Sequence, residues 1–371
     1  MNTNETNEPV RLGIVGCGAI LPAYVEGLRI YPQVRIEACA DLDVTRARAR
    51  ADEFGIPRAL AVEDLLSDPA VDLVVNLTVP KAHAAVNRAA LEAGKHVYVE
   101  KPLALDPASA ADLLVLASAR GLRLGCAPDT FLGGGIQTAR RLIDEGAIGR
   151  PVAATACFAN HGHEHWHPNP HFYYERGGGP MFDMGPYYLT ALLEFLGPCA
   201  SVSGAVGRAG DTRTIESQPR AGQTIPVETP THYAGTLEFH GGAIASVLMS
   251  FDIWGHHQPM LEVHGTKGSL AVPDPNRFDG VVRIKRGRAS DWEPVESTHR
   301  TDIGRGSGVA DMACALREGR PHRASGERAA HVVEIMAAFE ASAHERRHVK
   351  LSTAPARPTP LAPGLPPGRL D

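Results

Sequence analysis

The chain has 371 residues, more than one ordinary hydrophobic core organises, so we expect two domains. Apolar residues make up 43% and charged residues 21%, a balance typical of a globular enzyme and not of a disordered chain. The formal net charge is −5, and residues of both charge signs are interspersed, with no Lys/Arg block and no basic stripe with aromatics. This pattern argues against a nucleic-acid partner.

The N-terminus, MNTNETNEPV, lacks the charged start and apolar stretch of a secretory signal. No uninterrupted apolar run reaches the ~18 residues that a membrane helix needs, so we expect no membrane partner. The cysteines are scattered and form no CxxC pair, which predicts reduced, mostly buried thiols and a cytoplasmic location. They are Cys17, Cys39, Cys126, Cys157, Cys199 and Cys314.

The first ~130 residues alternate short apolar runs with helix-forming stretches, as βαβ units of a parallel sheet do. The predicted strands are continuous Val/Ile/Leu runs, typical of strands buried on both faces. They begin at Val10, Val34, Val71, Lys95 and Leu122. Predicted helices cover 44–54 and 82–93, and a third begins at Asp106-Pro107, with the aspartate as N-cap, and ends at Gly121.

After a helix at about 136–145, the pattern changes at Gly149-Arg150-Pro151. A strand (PVAATACFAN), a loop rich in His, Pro and Gly, and a helix at about 186–196 follow. Alternating strands separated by turns over 233–284 predict an antiparallel sheet, and helices are predicted near 309–317 and 325–345. We therefore predict an α/β plus α+β fold: a doubly wound Rossmann domain (9–130), an α+β domain (131–350), and an extended or mobile Pro-rich tail (351–371).

A glycine-rich turn follows the first strand. Gly16 would permit the tight turn, and Gly18 would let the backbone approach a pyrophosphate at the start of the next helix. The third glycine position of the dinucleotide motif holds Leu21. Asp41 ends the next strand, 23 residues beyond Gly18, where a carboxylate can bind ribose hydroxyls and repel the extra phosphate of NADP. We predict NAD as cofactor, while the nearby Arg46 leaves NADP open. The alternative is a ligand-free turn, with Asp41 as a helix N-cap.

At the fifth strand the chain has Glu100-Lys101-Pro102. Together with GCGAI, ADLD, VNLTVPKAH, GGGPMFDMGPYYLTALLEFLG and RGSGVADMACALREGRPHRASGE, this tripeptide resembles the Gfo/Idh/MocA family, the glucose–fructose oxidoreductase and inositol dehydrogenase superfamily. The likeness spans about residues 10–350 in the family's order. It implies hydride transfer at a secondary alcohol of a sugar, inositol or similar polyol. It also implies an open antiparallel sheet that often forms homodimers or homotetramers.

The resemblance also implies functional residues. The catalytic set is Lys101, Asp183 and Tyr187, of which Tyr187 stands where the family usually has histidine. Cofactor-binding residues would be Gly16, Gly18, Ala19, Ile20, Asp41, Thr78, Pro80, His83, Glu100, Lys101 and Pro102. Substrate-binding residues would be Asp129, Asn160, His161, His163 and His257.

Oxidising a carbinol requires a group that removes the hydroxyl proton. Lysine (pKa ~10.4) and tyrosine (pKa ~10) both need a lowered pKa to act near neutral pH. Our hypothesis is that Lys101 and Tyr187 share this proton and that Asp183 orients Lys101. The alternatives are that Lys101 only positions the nicotinamide ribose, that Asp183 only caps a helix, and that Tyr187 is a packed aromatic.

Five histidines crowd residues 161–171: His161, His163, His165, His167 and His171. They could bind zinc, but their spacing matches no structural zinc pattern, so we predict a solvated or substrate-lining loop and no metal. Two alternative functions remain at this stage. One is an NAD-dependent glycoside-cleaving enzyme that recycles its cofactor, and the other is a non-catalytic NAD-binding regulator.

Overall fold

A computed structural model describes residues 8–288 and 291–371. The chain forms two compact units. Unit 1 contains 1–133, 298–330 and 358–371, and unit 2 contains 134–297 and 331–357. The predicted domains were each continuous in sequence, with boundaries at 130 and 350. The two units are not, because two segments from late in the chain, 298–330 and 358–371, belong to unit 1.

Unit 1 is built on a parallel sheet. Its strands are β1 (Val10–Val15), β2 (Val34–Ala40), β3 (Ala59–Leu60), β4 (Leu73–Asn76), β5 (His96–Val99) and β6 (Leu124–Cys126). Its helices are α1 (Leu21–Leu28), α2 (Val44–Phe54), α3 (Val62–Ser67), α4 (Pro80–Glu92), α5 (Pro107–Ala119) and α9 (Ser307–Glu318). The described strands lie in the order β3-β2-β1-β4-β5-β6, and every pair is parallel. The predicted Rossmann sheet is confirmed.

Local sequence explains why these elements begin and end where they do. The buried strands β4 and β5 consist largely of apolar residues, which suits strands covered on both faces. The Asp106 side chain caps α5 by accepting a hydrogen bond from the Ser109 N–H. Gly55 ends α2 in the left-handed conformation, with φ of 69°. Asp43, and not Asp41, caps the start of α2.

Unit 2 contains a nine-stranded sheet within the described residues, in the order β16-β15-β14-β13-β7-β12-β11-β8-β17. These strands are β7 (Pro151–Ala159), β8 (Cys199–Gly207), β11 (His232–Phe239), β12 (Ile244–Ser250), β13 (Leu261–Gly265), β14 (Gly268–Val272), β15 (Val282–Arg286), β16 (Glu293–Val295) and β17 (Val349–Lys350). The helices are α6 (Gly134–Asp144), α7 (Gly179–Asp183) and α8 (Gly185–Leu196), while α10 (Gly326–Glu345) contains the boundary between the units. A separate hairpin pairs β9 (Thr212–Thr214) with β10 (Thr224–Pro226).

The unit 2 sheet departs from the prediction in one pairing. Most neighbours are antiparallel, but β7 and β12 run parallel, from Ile244 beside Ala153 to Ser250 beside Ala159. The sheet is therefore mixed. After β7 the chain passes through α7, α8, β8 and β11 before β12 pairs with β7. This path fixes the direction of β12. Alternation along one strand carries no information about the direction of its neighbour.

Residues 358–371 of the Pro-rich tail belong to unit 1 and are held there by side-chain contacts. Arg323 is 5% exposed, and its guanidinium donates to the Thr359 carbonyl and to the Asp371 carboxylate at 2.8 and 3.0 Å. A second contact joins the Gln33 amide to the Gly368 carbonyl at 2.8 Å. Residues 351–371 form no helix or strand, which agrees with an extended segment, and one buried guanidinium satisfies carbonyls of this proline-rich stretch. Among the described residues, no helix is long and apolar enough to cross a bilayer.

Candidate active site

The predicted cofactor residues of unit 1 collect at one edge of the parallel sheet. Gly16 follows β1, Asp41 follows β2, Thr78 follows β4, and Glu100 and Lys101 follow β5. Carboxyl ends of parallel strands meet at one edge. Ligands of such sheets bind there, where the strand order reverses. In this sheet the reversal lies between β1 and β4.

The glycine turn has the geometry that a dinucleotide requires. Gly16 has φ of 103°, and a Cβ there would lie 2.7 Å from the Leu77 carbonyl carbon, so only glycine fits. A Cβ on Gly18 would meet nothing within 4 Å, so space for a ligand lies directly against this backbone. Beyond it, Ala19 is exposed and Ile20 is half-buried. The first turn of α1 carries no acidic side chain that would repel a phosphate. The turn therefore fits a pyrophosphate.

Asp41 is tied to the glycine turn itself. One carboxylate oxygen accepts the Cys17 N–H at 2.8 Å, and the other accepts the Asp43 N–H at 2.9 Å. Arg46 approaches the same carboxylate at 3.4 Å, and its side chain is 54% exposed. The N-cap alternative for Asp41 is therefore not observed. The carboxylate follows the second strand of the sheet, the position at which ribose hydroxyls are bound in folds of this kind, and the exposed Arg46 guanidinium lies beside it.

Glu100 organises the segment that carries Lys101. Its side chain accepts from the Tyr24 hydroxyl at 2.8 Å and from the Lys101 N–H at 2.9 Å. Burial, followed by the nearby Glu100 charge, raises the pKa of Tyr24, so the phenol stays protonated and donates. Lys101 is half-buried and Pro102 is buried. Sequence reasoning missed Tyr24, because no local pattern links α1 to the end of β5.

Three further predicted cofactor residues lie around the end of β4. The Thr78 hydroxyl donates to the buried Asn76 side chain at 2.7 Å, and Pro80 begins α4. His83 has no exposed surface, and its ring nitrogens lie 2.7 Å from the Pro102 carbonyl oxygen and 2.9 Å from the Thr78 carbonyl oxygen. Burial lowers its pKa, and the two carbonyl contacts offset part of that shift. The His83 ring thus joins two backbone segments beside the predicted cofactor residues, and its role in cofactor binding stays a prediction.

Asp129, predicted to bind substrate, is also fully buried. One oxygen accepts the Gly306 and Gly308 N–H groups at 2.8 and 3.1 Å, so this carboxylate caps the start of α9. Burial raises its pKa, and the Arg305 charge counteracts this. One carboxylate oxygen of Asp129 therefore serves a helix N-terminus, and its role in substrate binding stays a prediction.

In unit 2, Asp183 is paired with a histidine from elsewhere in the sequence. It is the last residue of α7, and its Oδ2 lies 3.2 Å from His163 Nε2. The cap alternative is not observed, because Met184 is the N-cap of α8 and no side chain caps it. Tyr187 lies in the first turn of α8 and is 6% exposed. The motif that contains Asp183 has Tyr187 in the usual histidine position. In the structure, the imidazole beside Asp183 is that of His163.

The other predicted substrate residues shape the loop after β7. The Asn160 side chain accepts the Gly162 N–H at 2.9 Å and forms a corner of the loop. His161 stacks on Trp254, with ring centroids 3.4 Å apart, and His257 is exposed. Within the described residues, no group of three or more His, Cys, Asp or Glu side chains is arranged to hold a metal.

Both halves of the chain match described protein families. Residues 10–127 match a family described as "Oxidoreductase family, NAD-binding Rossmann fold". Residues 136–271 match the "GFO/IDH/MocA C-terminal domain". A similar curated protein is the dTDP-3,4-didehydro-2,6-dideoxy-alpha-D-glucose 3-reductase of Streptomyces antibioticus, 30% identical over 88% of this chain and 95% of its own length.

Two further similarities extend over nearly the whole chain. The myo-inositol 2-dehydrogenase of Thermotoga maritima is 23% identical, covering 92% of this chain and 98% of its own length. A crystal structure of an NAD binding oxidoreductase from Klebsiella pneumoniae superposes with a TM-score of 0.81 at 23% identity, covering 92% of this chain and 99% of that one. This second likeness concerns the fold alone.

Proposed function

Because this chain belongs to the Gfo/Idh/MocA family of NAD-binding oxidoreductases, we propose that it transfers a hydride between a secondary alcohol carbon of a sugar, inositol or related polyol and NAD. The observation that carries the proposal is the carboxyl edge of the parallel sheet. There, an open glycine turn, the Asp41 carboxylate and Lys101 follow β1, β2 and β5. When bound, NAD supplies the site that accepts or releases the hydride.

We assign the proton chemistry to side chains of this protein. As the carbinol carbon gives up its hydride, its hydroxyl proton must pass to a base. Lys101, Asp183 and Tyr187 remain the proposed catalytic residues. The contact between Asp183 and His163 supports a role for that aspartate, since a hydrogen-bonded imidazole fixes its carboxylate. Asn160, His161, His163 and His257 remain proposed substrate contacts, because a polyol needs both donors and acceptors.

The test is NADH formation with a panel of sugars and inositols. We expect Lys101→Met and Tyr187→Phe to lower kcat by about 10²-fold or more, the usual range for losing an acid or base. Lys81→Met, on the exposed face of α4, is the matched control. NADH should still bind to Lys101→Met, as followed by its fluorescence. An unchanged kcat in that variant would remove the assignment.

We also propose a homodimer or homotetramer associating through the unit 2 sheet, and a cytoplasmic location. Ile244 in β12 is 51% exposed, which supports association through that face. All six cysteines are free and buried, which supports a reducing compartment. Light scattering of the protein and of Ile244→Glu tests the assembly, and a wild-type mass that stays monomeric at all concentrations would contradict it.

A further inference from the structure

Along the sequence, the β9–β10 hairpin lies between β8 and β11. It carries a buried cation. Arg213 in β9 is 10% exposed at its side chain. Its guanidinium donates to Glu164 at 3.0 Å, to the Phe251 carbonyl at 2.9 Å, and to Asp252. We call Arg213, Glu164 and Asp252 the Arg213 network. One cation thus joins a loop residue after β7 to the segment after β12.

The partners of the network are themselves constrained. Glu164 accepts a second hydrogen bond from the Tyr174 hydroxyl, and Asp252 accepts one from Thr231 at 2.6 Å. The Glu164 backbone carbonyl also accepts the N–H groups of Glu216 and Ser217, each at 3.0 Å. Glu164 is therefore held through both its side chain and its backbone by the hairpin and its connections.

Packing reinforces this attachment. Three side chains at the hairpin are buried in one cluster with two aromatic rings. One ring belongs to the loop after β7, and the other directly follows β12. The cluster consists of Tyr174, Ile215, Ile225, Val227 and Phe251. The centroid of the His163 ring lies 4.7 Å from that of the Phe251 ring and 4.2 Å from that of the Tyr173 ring. His163 is thus enclosed by residues that the hairpin supports.

His163 directly precedes Glu164, so whatever fixes Glu164 fixes the backbone of His163. We propose that Arg213 is a positioning residue for substrate turnover: it locks the loop so that His163 holds the Asp183 carboxylate in place. This inference rests on the proposed function of Asp183. Removing the guanidinium leaves two buried carboxylates facing each other without a cation, which drives them apart and releases the loop.

The first experiment compares steady-state kinetics of wild type, Arg213→Met and Arg213→Lys. We expect Arg213→Met to lower kcat/KM for the polyol about tenfold or more and to leave the NADH dissociation constant within twofold. Arg213→Lys keeps the charge but not the forked geometry, so it should restore part of the loss. The control is Arg286→Met, which removes an exposed pair with Glu293. If Arg213→Met does not fold, Arg213→Lys carries the comparison.

The second experiment asks whether Arg213 acts through His163. In a His163→Asn background, Arg213→Met should cause little further loss of kcat/KM; an equal loss in both backgrounds would overturn the proposal. The ring resonance of His163, assigned by its absence in His163→Asn, should shift in Arg213→Met and not in Arg286→Met. An unmoved resonance also overturns it. This spectrum needs no turnover, so a wild type inactive on every polyol counts against the proposed function alone.

Discussion

Replacing Gly18 by alanine separates cofactor binding from folding. The position has no left-handed φ, and a Cβ there meets nothing within 4 Å. Alanine should therefore leave the free energy of unfolding unchanged or raise it by about 0.4–1 kcal/mol through the unfolded chain. The same Cβ would occupy the space beside which we place the pyrophosphate. We expect the NADH dissociation constant to rise about tenfold or more, which corresponds to about 1.4 kcal/mol or more.

Gly16→Ala is the contrasting variant. Its φ of 103° costs a side chain about 1–3 kcal/mol, and its Cβ would press on the Leu77–Thr78 peptide at 2.7–2.8 Å. We expect this variant to lose stability as well as binding. Urea unfolding and NADH fluorescence titration measure the two effects separately. Wild-type NADH affinity in a stably folded Gly18→Ala protein would refute our placement of the pyrophosphate.

Three further predictions concern the buried Asp129, the Asp41 carboxylate and the buried His331. Asp129→Ala should lower the free energy of unfolding by about 2–4 kcal/mol in urea, because buried helix N–H groups lose their acceptor, whereas Asp129→Asn keeps one; a wild-type value for the alanine variant would contradict the cap. Asp41→Asn keeps an acceptor for the Cys17 N–H but loses its charge, so the NADH-to-NADPH affinity ratio should fall; equal ratios would disprove the role. His331 accepts the Cys199 N–H, and burial lowers its pKa to about 4, so its contribution to stability is present above pH 6.5 and lost as pH falls toward 4. The free energy of unfolding should drop by about 2 kcal/mol more between pH 7 and 5 in wild type than in His331→Gln; parallel pH profiles would count against it.

The parallel sheet of unit 1 was predictable because its determinants are local. Strand β4 is a run of buried apolar residues, Asp106 is an N-cap in front of a proline, and Gly16 precedes the first helix at a φ that other residues avoid. Each feature acts within a few residues of its own position. A single sequence therefore contains the information needed to place these elements.

Other contacts could not be read from the sequence, most of them because they join residues far apart along the chain. The Asp129 carboxylate follows a strand, as a ligand-binding group would, but the N–H groups it accepts lie 177 and 179 residues later. The His83 motif does not show that the ring contacts two carbonyls. Nothing local in the Pro-rich tail shows that Arg323 binds it.

The candidate site shows the same division. Gly18 and Asp41 could be chosen from the sequence because strand, turn and helix follow one another directly. The pairing of His163 with Asp183 could not, since it joins residues that are 20 positions apart on a loop and a short helix. Arg213 lies 49 positions from Glu164, and isolated charges of this kind usually lie on solvated surfaces. Only the fold shows that this one is buried.

Isotope transfer is the most direct test of hydride transfer from a polyol carbon to nicotinamide. The enzyme would be incubated with NAD and sugars or inositols that carry deuterium on every carbon, and the reduced cofactor would be examined by mass spectrometry and NMR. We expect one deuterium at C4 of the nicotinamide with at least one polyol, and none with Lys101→Met. Reduced cofactor without deuterium, or no transfer from any polyol, would contradict it.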